Sequence, residues 1–577
     1  MFTPKIFTTL KDYSFSIFKA DLFAGVTVGI VALPLAMAFA ISSGLPPERG
    51  IFTAIIAGFL ISALGGSRVQ IGGPTGAFVI IVSGIVAQFG YQGLVYSMLL
   101  ASVFLILFGL FRMGTLIKFI PFPVTTGFTS GIAVVIFSTQ IRDLFGLQIE
   151  SIPADFIEKW AVYSHFISTI NPTATALGFG TIAILLIGRK FFPRIPYMLL
   201  GMTLITAIAV IFQLDVETIG SRFGELPRTL PTPYFPPFDY AVFKELVAPA
   251  FTISLLAAIE SLLSATVADG MTGGNHRSNI ELIAVGIANL GSALFGGIPA
   301  TGAIARTATN VKSGGKTPVA GMIHAITLGL LLLFLAPYAK LIPMASLAGI
   351  LVVVSYNMSE IGQFKRILKA PRSDIMVLCA TFLLTIFIDL TVAVEIGIVL
   401  AALLFIRRMS EISNVGIITK GLMDDAEEPV DLNAVSLRVV PEHVEVFEVK
   451  GPFFFAAADR FKEAMRLLDK NNKIVILRLR SVPVIDATGI HLLTEFYERC
   501  QRENYSLILS GVHAQPLFAL QNDGLLDSIG EENVLSNIDD ALNRARVILG
   551  LPTIERTTPF VPTVKREMKK REDKLEQ

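Results

Sequence analysis

Long apolar runs recur through the first 410 residues of this 577-residue chain and decide most of what it can fold into. About fourteen stretches approach the ~20 residues that a helix needs to cross a bilayer, and several are interrupted by Gly or Pro. They begin near residues 23, 50, 75, 93, 123, 172, 196, 247, 279, 303, 317, 341, 373 and 391. Only 16% of the residues are charged, against roughly 25% in soluble domains. The sequence therefore predicts a helical protein that crosses the lipid bilayer many times.

The charge balance and the cysteine count exclude several classes of function. Lys and Arg number 47 and Asp and Glu 46, so the chain lacks the basic excess that a nucleic-acid partner requires. The two cysteines, Cys379 and Cys500, are too few for a disulfide scaffold or a metal cluster. The string Gly314-Gly315-Lys316-Thr317 lacks the earlier glycine of a nucleotide-binding loop. We therefore expect no enzyme, no cofactor and no metal, apart from a Na⁺ or H⁺ that could be coupled to transport.

Basic residues in short loops predict the orientation in the membrane, because such loops stay in the cytoplasm. They fall in alternate loops: Arg68; Arg112 and Lys118; Arg189, Lys190 and Arg194; Arg277; Lys312 and Lys316; and Lys365, Arg366, Lys369 and Arg372. We expect a multi-pass protein of the cytoplasmic membrane with both termini inside. The composition changes after Arg408. The expected domains are a membrane domain 1–410, a linker 411–435, a soluble domain 436–550 and a disordered tail 551–577.

The membrane domain contains an internal repeat. The string Gly72-Gly73-Pro74-Thr75-Gly76-Ala77 recurs as Gly296-Gly297-Ile298-Pro299-Ala300-Thr301-Gly302-Ala303, and the spans before the two strings have a similar offset. The repeats cover about 20–230 and 245–410, with about seven spans each. Because seven is odd, the second repeat enters the membrane from the opposite side, which is the inverted repeat of secondary transporters.

Each repeat has a Gly/Pro break followed by a short apolar segment, 75–89 and 303–310. Irregular backbone at membrane depth is tolerated only inside protein or along a watery cavity. We expect two half-helices whose N-termini, each with about half a positive charge, form an anion site. Thr75 lies where its hydroxyl would reach the bound anion. The alternative is a pair of kinks that serve helix packing.

Two further residues of the spans have open interpretations. Arg306, one turn into the second half-helix, either adds positive potential to the anion site or binds a carboxylate or carbonyl. Glu260 lies in mid-span, with Ser264 one turn further on the same face. It either takes a proton, or binds Na⁺ with Ser264 and carbonyls near Gly302, or is a structural partner of Arg306.

We draw expectations for four other residues as well. Pro34 is expected to interrupt the first span, and Phe39 either walls the pocket or packs in the core. Asp389 and Glu395 lie between the last two spans and receive no transport role.

These residues resemble the SulP sulfate-permease family of anion transporters. The resemblance rests on the span around Pro34, on Gly73-Pro74-Thr75-Gly76, on Ile259-Glu260-Ser261-Leu262-Leu263 and on the segment around Arg306. It implies a core domain that moves against a gate domain by an elevator mechanism, and a homodimer. It places the anion pocket at Thr75, Gly76 and Ala77, at Ala303, Ile304 and Ala305, and along the Pro34 span with Phe39. It makes Glu260 the cation-coupling group.

The soluble domain is predicted to be an α/β unit with strands at 444–449, 474–479 and 506–510 and a helix from about 489. The loop Val484-Ile485-Asp486-Ala487-Thr488-Gly489 resembles the signature of STAS domains. The resemblance implies a regulatory, phosphorylated Thr488 and a possible cytoplasmic partner. The alternative is that Thr488 caps the helix that follows.

Together these features predict cation-coupled symport of a small anion, which is sulfate, bicarbonate or a dicarboxylate. The first alternative is an uncoupled anion exchanger or channel on the same fold. The second is a membrane sensor that binds an anion and signals through its STAS domain without moving the anion.

Overall fold

The computed structural model describes residues 3–115, 121–149, 152–153, 155–191, 197–233, 240–388, 390–412, 414–417, 438–466, 468 and 472–554. The chain forms two compact units, Met1–Ala401 and Ala402–Gln577. Most of the expected linker 411–435 and of the expected disordered tail 551–577 lies outside the described residues, and so does Asp389. Glu395 is exposed.

The described residues of the first half of the membrane unit form helices and one two-residue strand, β1 (Gly72–Gly73). Its helices are α1 (Ile6–Thr9), α2 (Phe15–Ser42), α3 (Pro47–Leu64), α4 (Val79–Leu110), α5 (Phe122–Phe145), α6 (Phe156–His165), α7 (Pro172–Phe191), α8 (Tyr197–Ile211) and α9 (Ile219–Phe223). Helix α2 runs through Pro34, so the expected interruption there is wrong. A proline inside a helix removes one hydrogen bond, and packing against neighbouring helices tolerates that loss.

The second half mirrors this order around a second short strand, β2 (Thr301–Gly302). Its helices are α10 (Tyr240–Glu245), α11 (Val247–Thr272), α12 (Ser278–Leu294), α13 (Ile304–Lys312), α14 (Pro318–Ala339), α15 (Met344–Met358), α16 (Ile361–Ile367), α17 (Arg372–Phe387) and α18 (Leu390–Ile412).

The predicted spans are confirmed as helices. In the described part of the chain, eight helical segments are long and apolar enough to cross a membrane. One of them contains two predicted spans, because Gly90 has non-helical angles (φ 65°, ψ −173°) and divides α4 into a half-helix and a full span. The other predicted spans correspond to α8, α12, α13, α17 and α18.

The packing repeats between the halves. Helix α4 packs on α11 and α12, and in the same way α14 packs on α2 and α3. Helix α5 packs on α17 as α15 packs on α7. The contacts thus separate a core group (α2–α4, α11–α14, β1 and β2) from a gate group (α5, α7, α8, α15 and α17). This pairing is what an inverted repeat produces.

The second compact unit contains a five-stranded sheet in the order β3–β4–β5–β6–β7. Its strands are β3 (Asn414–Ile417), β4 (Val444–Lys450), β5 (Ile474–Ser481), β6 (Ser506–Ser510) and β7 (Val534–Leu535). Its helices are α19 (Ala458–Arg466), α20 (Ala487–Glu503), α21 (Ala514–Asp523), α22 (Leu525–Ile529) and α23 (Ile538–Ile548). Strands β4 to β7 are parallel and β3 is antiparallel to β4. The three predicted strands are confirmed, and the predicted helix begins at Ala487 rather than near 489.

Candidate functional site

The two Gly/Pro breaks meet in a short antiparallel ladder. Gly72 pairs with Gly302 and Gly73 with Thr301, and the amide of Ala303 donates to the carbonyl of Ile71 at 2.8 Å. The ladder supplies hydrogen-bond partners to the irregular backbone from within the protein. Such partners are needed at membrane depth because lipid offers none. It also joins the two repeats at the point where both half-helices begin.

Glycine is required in this ladder for space. A Cβ on Gly73, whose φ is +144°, would lie 2.5 Å from Nη1 of Arg306. A Cβ on Gly302 would lie 1.7 Å from Nε2 of Gln70. The close approach of the two breaks therefore depends on these glycines.

The half-helices leave the ladder with free N-terminal amides. The first begins as a 3₁₀ turn, Gly76–Phe78, and continues in α4 to the break at Gly90. The second is α13. No side chain caps either start in the structure as described. Each N-terminus therefore presents partial positive charge to any anion that enters.

The predicted anion-site residues differ in their access to that space. Gly76 and Ala77 are buried and Thr75 is half-buried, all at the first helix start. Ala303 is buried at the second start, whereas Ile304 and Ala305 are exposed. The backbone amides of both starts, more than these side chains, can thus bind an anion.

Thr75 and Glu260 are in direct contact. The hydroxyl of Thr75 donates to Oε2 of Glu260 at 2.8 Å. Glu260 lies on α11, in the opposite repeat from Thr75, and its side chain is half-buried. The mid-span carboxylate is thus hydrogen-bonded to Thr75, the N-cap residue of the first half-helix. This contact was missed from the sequence, where Thr75 was assigned to the anion alone.

A chain of hydroxyl groups fastens α11 to the ladder and to α13. Ser261 Oγ lies 2.8 Å from Thr301 Oγ1 and accepts from the amide of Gly302 at 2.9 Å. Ser264 Oγ lies 3.0 Å from Thr307 Oγ1. The Ser264 hydroxyl is thus hydrogen-bonded to Thr307 of α13 rather than to Glu260. Gly302 is bonded through its amide, which donates to Ser261. The serine next to Glu260 in the sequence motif was the available signal for this network.

Arg306 binds the first break. Its Nη2 donates to the carbonyl of Pro74, while its buried Nη1 has no hydrogen-bond partner among the described residues. No ion pair joins Arg306 to Glu260 in the described part of the chain, where the pairs within 4.0 Å involve other residues. The structure thus shows Arg306 bound to a carbonyl, which is one of its two interpretations. The charge of the guanidinium lies beside both half-helix starts.

The first helix start also faces the gate group. A Cβ on Gly76 would lie 2.9 Å from Cδ1 of Ile136 on α5, 3.1 Å from Sδ of Met358 on α15 and 3.2 Å from Cε1 of Phe39. Phe39 is buried and packs in a hydrophobic cluster while it touches this position. The candidate site therefore lies where the core and gate groups meet. Ile136 and Met358 carry no sequence signal, because apolar residues fill every span.

Thr488 is not the helix cap. The N-cap of α20 is Asp486, whose carboxylate accepts from the amide of Gly489 at 2.8 Å and from that of Phe455 at 3.1 Å. The prediction of a Thr488 cap is wrong because Asp486, two residues earlier, is an equally good capping residue and already occupies that position. Thr488 is half-exposed in the first turn of α20.

Two family descriptions match the chain: the sulfate permease family over residues 18–381 and the STAS domain over residues 436–541. "Putative sulfate transporter YvdB" of Bacillus subtilis (strain 168) is 42% identical over 532 residues, 92% of this chain and 98% of that protein. "Bicarbonate transporter BicA" of Picosynechococcus is 30% identical over 547 residues, 92% of this chain and 95% of that protein.

Solved structures agree on the fold. The murine Slc26a9 anion transporter in its inward-facing state superposes with a TM-score of 0.84 at 18% identity, covering 94% of each chain. The transmembrane domain of a cyanobacterial BicA superposes with a TM-score of 0.60 at 30% identity, covering 67% of this chain and 98% of that one. The chain is thus a multi-pass membrane protein and an anion transporter rather than an enzyme, and it belongs to the sulfate permease family.

Proposed function

We propose that the protein moves a small anion by cation-coupled symport, with Glu260 as the coupling group and the two half-helix N-termini as the anion site. The observation that carries the proposal is the 2.8 Å hydrogen bond from Thr75 to Glu260. It connects Glu260, the carboxylate that we assign to coupling, directly with the N-cap residue of the half-helix whose amides we assign to the anion.

The charge state of Glu260 gives the coupling a simple physical basis. When Glu260 is ionised, it accepts from the Thr75 hydroxyl. Its negative charge then offsets the positive ends of the two half-helices and repels an incoming anion. Repulsion between two negative charges is strong where little water screens them. When H⁺ or Na⁺ neutralises Glu260, that repulsion falls and the Thr75 hydroxyl becomes available to the anion. Cation and anion then bind together.

The proposed anion site depends mainly on backbone dipoles, which suits release as well as binding. The half-helix N-termini add partial charges, and the charge of Arg306 acts from a position bonded to Pro74. Such a site senses negative charge and size. We propose that the anion is sulfate, bicarbonate or a dicarboxylate, since the relatives are named for sulfate and for bicarbonate.

The transport step is proposed to be an elevator movement of the core group against the gate group. Support comes from the separation of contacts into these two groups, and from the position of Gly76 against Ile136 and Met358 at their boundary. The ladder and the hydroxyl network lie wholly within the core group, so a rigid movement would carry the site intact.

Contacts between basic segments support a proposal for the orientation of the protein in the membrane. Arg277 donates to the carbonyl of Thr3 at 2.6 Å, and Lys5 donates to the carbonyl of Asn275 at 2.9 Å. The amide of Lys316 donates to Asp21 at 2.7 Å. These bonds bring three basic segments to the same end of the core group. We propose that this end faces the cytoplasm, with both termini, in the cytoplasmic membrane.

Assembly and regulation are proposed from the family resemblance. The expectation is a homodimer, and a cytoplasmic partner at the STAS domain. Thr488 is half-exposed in the first turn of α20, where a phosphate would meet the positive end of the helix dipole. We propose Thr488 as a regulatory phosphorylation site on this basis.

The test is accumulation of labelled sulfate, bicarbonate and fumarate in proteoliposomes, with a Na⁺ gradient or a pH gradient imposed in turn. We expect one anion to accumulate with one of the gradients. Glu395→Gln is the matched control for a Glu260→Gln variant. It removes an exposed carboxylate of α18 and is expected to leave accumulation unchanged. Flux that ignores both gradients would contradict symport and favour the exchanger or channel. Binding without flux in a folded protein would favour the sensor.

A further inference from the structure

Helix α6 takes no part in the site described above, and it has two contrasting faces. Its N-cap, Asp155, accepts from the amides of Ile157 and Glu158 at 2.8 and 3.0 Å. Lys159 and Tyr163 are buried on the inner face, where Tyr163 packs with Leu147 and Ile149. The outer face exposes 65% of Ile157 and 41% of Trp160.

The exposed face is mainly apolar. Trp160 and Ala161 follow Ile157 by three and four residues, and Ser164 follows Trp160 by four, so these residues share one side of the helix. All four are exposed. The segment after the helix continues the pattern with exposed Ile167 and Ile170. A surface of this kind in water would be an interaction site rather than a neutral exterior.

Aromatic contacts place this face beside the end of a membrane span. Phe156 meets Phe387 of α17 edge to face, with ring centroids 5.6 Å apart, and Trp160 meets Tyr163 at 5.9 Å. Phe387 and Ile388 at the end of α17 are themselves exposed. The apolar face of α6 thus continues the surface that the spans present to lipid.

We propose that α6 lies in the membrane interface and that its partner is the boundary between phospholipid headgroups and acyl chains. Ile157 and the indole body of Trp160 would enter the acyl region, while the exposed Glu158 and His165 remain at headgroup level. Trp is enriched at this depth because its ring is apolar and its N–H is a donor. A short helix with one apolar face binds there in the plane of the membrane.

The contacts of α6 give this position a consequence for the gate group. Helix α6 packs on α5 and α17, both of which belong to the gate group. An interfacial α6 would tie that group to the bilayer surface. The inference stands on the exposed face of α6 and does not require the proposed coupling mechanism.

The test uses the fact that Trp160 is the single tryptophan of the chain. Tryptophan fluorescence of the unmodified, full-length protein is measured in phosphatidylcholine vesicles with three quenchers in turn. These are bromine on the acyl chains near the headgroup, bromine near the chain ends, and iodide in the water. We expect near-headgroup bromine to remove most of the emission, chain-end bromine less, and iodide little.

A matched variant provides the control. In Trp160→Phe combined with Phe518→Trp, the tryptophan moves to an exposed position on α21 of the STAS unit. Iodide and not bromine is expected to quench this variant, and Trp160→Phe alone gives the background.

Three results would overturn the inference. Quenching of Trp160 by iodide but not by bromine would place α6 in water. Protection from both quenchers that disappears when the protein is diluted into excess lipid would show a second copy on this face. Protection that persists on dilution would show that the chain itself covers Trp160.

Discussion

At the scale of single residues, the hydroxyl of Thr75 donates to the carboxylate of Glu260. We propose the transported anion as its second acceptor. A hydrogen bond to a charged group contributes about 1.5–3 kcal/mol. Removing the hydroxyl while keeping the shape of the side chain therefore tests the donor alone.

We expect Thr75→Val to raise the KM for the anion about tenfold, which corresponds to ~1.4 kcal/mol of lost binding. The control Thr75→Ser keeps the donor and is expected to stay within about twofold of the parent, less than the ~1.4 kcal/mol that a tenfold change requires. The measurement is initial uptake against anion concentration in proteoliposomes. Equal KM values for the valine variant and the parent would remove Thr75 from the anion site.

The buried thiol of Cys500 makes the stability of the STAS unit depend on pH. Burial raises the pKa of its thiol to about 12, from about 8.5 for a free cysteine. At a pH between these two pKa values, the folded unit keeps the thiol protonated, whereas the unfolded chain carries a thiolate. Stability from this group is therefore complete below pH ~8.5 and falls as the pH rises towards 12.

With Cys379 replaced by Ser, alkylation of the folded full-length protein at pH 9 is expected to be far slower than alkylation of the denatured protein. The same comparison at increasing pH measures how labelling follows the loss of stability. Equal rates for the folded and denatured protein at pH 9 would show that Cys500 is not buried.

At the scale of elements, the helix starts divide into those with a local signal and those decided by distant contacts. The half-helix after Gly76 and the helix α13 follow Gly/Pro breaks that are visible in the sequence, so their positions were predicted correctly. The ladder between Gly72 and Gly302 and the bond from Thr75 to Glu260 join residues of different repeats. No local pattern contains such pairings. For α20, two capping residues stood two positions apart, and local chemistry alone did not decide between Asp486 and Thr488.

The capping of α20 gives a prediction that the labelling of Cys500 can measure. Asp486→Ala removes the acceptor for the amides of Gly489 and Phe455. Loss of an N-cap costs ~1 kcal/mol, or about 2 kcal/mol in the stronger cases. We expect alkylation of Cys500 to become about five- to thirtyfold faster, because opening of the unit limits it. Thr488→Ala is the control with little expected change, and the reverse order would show that Thr488 is the cap.

The packing of α2 on α3 depends on a glycine. A Cβ on Gly50 would lie 1.9 Å from the backbone carbonyl oxygen of Ala36, which cannot move without shifting α2. Gly84, in the first half-helix, has open space around it. We expect Gly50→Ala to lower the midpoint of thermal unfolding in detergent strongly. Gly84→Ala keeps the midpoint or raises it slightly, since alanine favours helix by ~1 kcal/mol. Similar midpoints for both variants would contradict the packing described here.

At the scale of the whole molecule, the two repeats supply different parts of one site. The first repeat contributes Thr75 and its half-helix, while the second contributes Glu260, Arg306 and the other half-helix. The hydroxyl network and the ladder hold these parts together within the core group. Beside Gly76 the gate group presents the apolar side chains of Ile136 and Met358 to the candidate site. These contacts support the proposed movement of the core group as a unit.

The central claim is that neutralisation of Glu260 permits the anion to bind and that the driving cation acts through this group. Glu260→Gln holds the side chain neutral and keeps its size, so the Thr75 hydroxyl is available to the anion as in the neutralised parent. The measurement compares, in the same proteoliposomes, gradient-driven accumulation and exchange of labelled for unlabelled anion. We expect the variant to keep exchange and to lose accumulation altogether. Accumulation at the parental level, still driven by the same gradient, would contradict the claim.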